Sequence, residues 1–196
     1  MPQVTEHLKK DRKPRPFRII SAWIVISVIS AVVYGIINDQ VKISLSSEYF
    51  SVFKRQQFDP FLNMTGTSAA PVRTQALVVG TAATWWFGLL LGIALAIAGL
   101  GGGRPAIRTK DYMRVVLGIM AFSLALSAIG GLIGFVIEPL VKPTADDWPF
   151  LYGIHHIRAT FAVGSWHDAA YFGGLVGTII GFFYIRKLRS QKVALE

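Results

Sequence analysis

The sequence predicts an all-α membrane protein: an up-down bundle of four transmembrane helices, with a small extracytoplasmic β-hairpin or loop between helices one and two. Three observations lead there. The chain of 196 residues is 53% hydrophobic and only 16% charged, with a mean hydropathy of +0.48, where a soluble domain carries nearer a quarter charged residues. Four apolar runs, at about 19–37, 76–100, 115–137 and 166–185, are each long enough to cross a hydrocarbon core of ~30 Å as helices. The basic residues are sorted by side: of twenty Lys and Arg, six fall at or before Arg18, four in Arg104–Arg114 and four in Arg186–Lys192. An even number of crossings puts those three blocks on one side, and the positive-inside rule makes that side cytoplasmic.

The same sorting accounts for the net charge of +9, so it argues against nucleic acid as a partner. The bilayer itself is the expected partner, with a membrane protein or a second copy of the chain as further candidates. The absence of cysteine excludes disulfides, thiolate metal sites and iron–sulfur ligation.

Residues 1–18 read as a basic cytoplasmic tail, interrupted by Pro14 and Pro16. The first apolar run follows without a small-residue cleavage site, so it is read as a retained helix. The external segment 38–75 begins with Val41, Ile43 and Leu45 alternating with Lys42, Ser44 and Ser46, which is the period of a strand. Glu48–Phe53 offers a return strand, Phe58–Phe61 an interfacial dip, and Asn63-Met64-Thr65 a glycosylation sequon. Helix two carries Trp85 and Trp86, read as an interfacial aromatic belt, then Gly88 and Gly92. Helix three carries Gly130, Gly131 and Gly134, and helix four carries Gly173, Gly177 and Gly181. Lipid is as apolar as leucine, so membrane helices gain by close backbone approach, and these small residues predict tight packing in a single domain, 19–185. The second external segment, 138–165, precedes helix four, and 186–196 forms a second cytoplasmic tail. No acidic, basic or histidine residue falls at mid-depth in the four runs, which disfavours an ion or proton pathway.

Candidate chemistry gathers outside the membrane. His155, His156, His167, Asp168 and Glu138 are the candidate metal ligands, with Arg158, Asp39 and Glu48 nearby in the same external segments. Neutral imidazoles with carboxylates suit zinc, iron, copper or nickel, so a divalent transition metal is the one cofactor with a donor set to hold it. Geometry restrains the idea: adjacent His155 and His156 diverge on a helix, and no spacing matches a zinc-enzyme signature. The competing reading takes Ser165-Trp166-His167-Asp168 as a capping box, with Asp168 serving the start of helix four. Haem is disfavoured, because helices one to three offer no histidine opposite helix four.

Tyr34-Gly35-Ile36-Ile37-Asn38-Asp39-Gln40, then Glu48-Tyr49-Phe50, Ala83-Thr84-Trp85-Trp86-Phe87-Gly88 and Trp166-His167 with Tyr171, Gly173 and Gly174 carry a resemblance. On these motifs the chain resembles a family of uncharacterised bacterial integral membrane proteins with four spans, across most of residues 19–185. The resemblance implies a bacterial inner membrane and no particular activity. Members of that family often have His where this chain has Asn38, which counts against a metal site drawn through the first external segment. The expectation is a non-enzymatic accessory or partner-binding membrane protein. The alternative is a metal-binding protein or metal-dependent membrane enzyme with its site on the extracytoplasmic face.

Overall fold

The structure, a computed structural model, describes residues 16–63, 70–102 and 105–193. The basic tail before residue 16, Met64 and Thr65 of the sequon, and residues 194–196 lie outside the described residues. Four long helices dominate: α1 (Pro16–Leu45), α3 (Val72–Leu100), α4 (Thr109–Val141) and α5 (Ile157–Val193). Each is long and apolar enough to cross a membrane. Between α1 and α3 the chain makes a π-helical turn (Tyr49–Lys54) and a short helix α2 (Arg55–Leu62); a 3₁₀ turn (Pro149–Leu151) precedes α5.

The expected β-hairpin is absent, and no strand occurs among the described residues. A three-residue alternation is compatible with a helix as well as a strand, and here the longer-range pattern wins. Asn38, Asp39, Lys42 and Ser46 are all buried, and their spacing is that of one helical face. Val41 and Leu45, one turn apart, point outward. Helix α1 therefore continues beyond residue 37, and most of the described part of the first external segment is helical.

Helix α5 also begins earlier than expected. Its start is capped by another part of the chain: both the His155 and the His156 backbone N–H groups donate to the Glu48 carboxylate, at 3.1 and 2.8 Å. The carboxylate satisfies amides that a helix start leaves without partners, and it meets the positive end of the helix dipole. Asp168 consequently sits well inside α5, and the capping role expected of it falls to Glu48.

The helices pack as two antiparallel pairs, α1 with α3 and α4 with α5. In the α1–α3 pair, a Cβ on Gly88 would lie 2.7 Å from the Val28 Cα, and one on Gly92 would lie 2.9 Å from the Ile24 Cα. In the α4–α5 pair, a Cβ on Gly173 would lie 2.9 Å from the Ser123 Cα. No larger residue fits where two backbones come so close. The two pairs then meet along a seam, α1 against α4 and α3 against α5, where larger side chains do the packing. The end of the bundle holding the π turn and α2 is termed the lid end, and the opposite one the tail end. Trp85 and Trp86 lie at the middle of α3 (Val72–Leu100), away from both ends, and Trp86 stacks on Tyr171 of α5 at 6.1 Å between centroids. Apolar side chains such as Ile29, Val33, Leu90, Leu132 and Phe172 point outward, as a bilayer-embedded surface requires.

Candidate functional site

A cavity of about 50 Å³ opens in the seam toward the lid end, room for a few water molecules. All four long helices line it. From α1 come Ala31, Tyr34, Gly35, Asn38, Asp39 and Lys42, one face of the helix. Helix α3 supplies Val79, Ala83, Thr84 and Phe87; α4 supplies Ile119, Met120 and Ser123; α5 supplies His167, Ala170, Tyr171 and Gly174. Lys54 of the π turn closes the lid end.

The polar groups concentrate at that end. Lys42, only 2% exposed, is ion-paired with Asp39, one turn earlier on α1. His167 lies between two lysines: Lys42 Nζ is 3.3 Å from its Nδ1, and Lys54 Nζ is 3.4 Å from its Nε2. A neutral imidazole has one acceptor nitrogen and one N–H donor, whereas each ammonium can only donate. One of the two Lys–His contacts is therefore unsatisfied while both lysines are charged.

Lys54 is the more exceptional of the two. It is 4% exposed, yet has no carboxylate within ion-pair distance among the described residues. Its ammonium donates to Gln57 Oε1 at 2.6 Å and lies 5.2–5.7 Å from the ring centres of Tyr49, Phe53 and Phe58. Burial lowers its pKa to about 8, and repulsion from Lys42 adds to that, against the weaker pull of Asp39 and Asp168. The Tyr49 hydroxyl moves the other way, well above its ordinary range, because of burial and then the charges of Asp168 and Asp39.

Hydrogen bonds hold the walls in place. Trp166 Nε1 donates to Asn38 Oδ1 at 2.8 Å, tying α5 to α1. The Tyr171 hydroxyl donates to the Ala83 carbonyl at 3.1 Å, tying α5 to α3. Tyr34 and Ser123 share a hydrogen bond of 2.9 Å between α1 and α4, and Ser123 donates to the Ala170 carbonyl of α5.

Of the five metal-ligand candidates, only His167 lines this cavity. His155 and His156 sit at the surface of the lid end, where His156 Nδ1 is 3.2 Å from Glu48. The hydrogen bond from the His156 amide, then those from its side chain and from the His155 amide, hold the Glu48 carboxyl below its usual pKa against the opposing effect of desolvation. Asp168 is exposed, and Glu138 lies near the end of α4. Among the described residues no group of three or more His, Asp or Glu is placed to hold a metal. Around His167 the positions a cation would take are occupied by ammonium groups, so this set of side chains suits an anion better.

Sequence reasoning missed Lys42 and Lys54, and took Asp39 for an external loop residue. The signal available was the run Asn38, Asp39, Lys42, Ser46, polar residues on one helical face next to an apolar span. A polar face directed into a helix bundle marks a functional site more often than a solvated edge. The four spanning helices make this a multi-pass membrane protein. No protein-family model matches the chain, and no curated protein sequence or solved structure matches it either.

Proposed function

We propose that the chain is a non-enzymatic protein of a bacterial inner membrane that binds a small anion in the lid-end cavity, as an accessory subunit would. Both termini are cytoplasmic in this reading and the lid faces outward, a topology that the distribution of basic residues supports. One observation carries the binding assignment: Lys54, buried and without a carboxylate partner, stands at a cavity it shares with Lys42 and His167. A buried charge without its counter-ion is costly. A chain keeps such a group when something outside its own sequence completes the site.

Lys54→Met tests this and needs no identified ligand. Methionine keeps an unbranched apolar stem and removes the charge, so the ligand-free protein in detergent should melt at a higher temperature than the parent. A fall of several degrees would mean that the ammonium is a structural element, held by Gln57 and the three rings, and the binding reading would be lost. Topology is tested separately: a reporter fused after Lys192 should be cytoplasmic, and one inserted near Gly66 external.

A further inference from the structure

The cavity is asymmetric along its length, and the asymmetry bears on what it would hold. Its α1 wall runs from Ala31 to Lys42, eleven residues or ~16 Å of helix. The charged groups are confined to one end of that wall. In the middle, Tyr34 and Ser123 already bond to one another, so they make no strong demand on a ligand. At the deep end the lining is Ala31, Phe87, Ile119, Met120 and Gly174, with no charged group.

We infer that the ligand is a short-chain monocarboxylate, its carboxylate among Lys42, Lys54 and His167 and its apolar chain directed toward Ile119 and Met120. The inference rests on the anion-binding reading above and narrows it. Charge favours a single carboxylate: Lys42 already pairs with Asp39, whereas Lys54 has no carboxylate within ion-pair distance among the described residues and feels Asp168 only from farther away, so one carboxylate beside Lys54 and His167 supplies the direct partner that the cavity leaves out. A carboxylate accepts from the second ammonium and from the imidazole N–H, which removes the donor–donor conflict at His167. The apolar depth sets the rest. An inorganic anion would have to shed its hydration against an unresponsive wall, while an alkyl chain gains from the same wall. The volume of about 50 Å³, enough for a few waters, limits that chain to a few carbons.

The test is a chain-length series on the full-length protein in detergent. Acetate, propionate, butyrate and valerate would be titrated by calorimetry, with butanamide, chloride and phosphate as comparisons. Each added methylene should tighten binding roughly fourfold until the cavity is full, and butanamide should bind far more weakly than butyrate. Lys54→Met should weaken butyrate at least about tenfold. Met120→Trp, which fills the deep end, should remove the gain from chain length while leaving acetate binding in place. The Met120 variant also covers the case in which the Lys54 variant fails to fold. Affinity that is flat along the series, or matched by chloride or phosphate, would overturn the monocarboxylate assignment and leave anion binding standing. Equal binding of butanamide and butyrate, or no binding by any anion, would overturn the assignment too. In those cases the melting temperature of Lys54→Met decides independently whether the binding reading survives.

Discussion

At the tail end of the seam Trp23 stacks on Tyr112 with centroids 4.5 Å apart, and both rings are fully buried. The Tyr112 hydroxyl bonds Ser27 at 2.7 Å and the Trp23 carbonyl at 3.2 Å, so its hydrogen-bonding capacity is used within the protein. At the lid end of the same seam, two lysines compete for one imidazole around an open cavity. Both ends bury polar atoms between the same pairs of helices. Around the Trp23–Tyr112 stack the polar atoms are satisfied within the protein, whereas the lid end keeps a buried lysine without an ion-paired carboxylate beside a cavity. A seam built only for stability would resemble the tail end throughout.

The largest test of that contrast is Trp23→Ala. It removes the largest fully buried side chain and leaves space between α1, α3 and α4, so unfolding should become easier by about 3–5 kcal/mol. A loss under about 1 kcal/mol would mean that the tail end packs no better than the lid end.

The next concerns pH. Lys54 has its folded pKa lowered to about 8 from 10.5. Between those values the unfolded chain binds more protons than the folded one, so the contribution of this group to stability rises with pH. From pH 8 to 9.5 the parent should gain about 1–2 kcal/mol relative to Lys54→Met, measured as the difference between their melting curves. An equal response in both proteins would show that Lys54 is not held in the unfavourable setting described above.

Tyr112→Phe should cost about 1 kcal/mol, since it deletes hydrogen bonds but keeps the ring stack. If the cost instead matched Trp23→Ala, the closure of the tail end would depend on the hydroxyl rather than on packing. The smallest effect is expected at Asp168. It lies exposed in the interior of α5, with no hydrogen bond to its carboxylate among the described residues, so Asp168→Asn should stay within about 0.5 kcal/mol of the parent. A larger loss would mean that it supports the lid end through more than its distant charge.

Four spanning helices were legible in the sequence because lipid imposes length and hydropathy on each run independently of its neighbours. The glycine series were legible for a similar reason, although their contacts differ in kind. Gly173 meets backbone, while the Gly177 position meets the Ile119 side chain at 3.0 Å. The helix ends and the site were read poorly, and the two failures are linked. Ending the first span at Ile37 and starting the fourth at Trp166 placed Asp39 and Lys42 in an external segment and His167 at the outer mouth of the bundle, where histidines and acids suggest a metal. Once α1 and α5 are extended, the same residues face one another inside the bundle, and two lysines that hydropathy assigns to a loop become the nearest neighbours of the imidazole. Nothing local marks Glu48 as the cap of a helix that starts 109 residues later at Ile157. That contact exists only after the helices have assembled.

One tail-end side chain has a consequence for biogenesis. Arg189, 2% exposed on α5, donates to the carbonyls of Ala98, Gly101 and Pro105 at 2.8, 2.6 and 3.0 Å. These carbonyls belong to the end of α3 and the connection to α4, which the ribosome makes some ninety residues before Arg189. The hairpin α1–α3 pairs through its own glycines, whereas these three carbonyls gain Arg189 as a partner only when the last helix arrives. The final span thus acts as the keystone of the fold. The lid-end cavity needs residues from all four spans, so α5 supplies both the partner of those carbonyls and the last wall of the cavity.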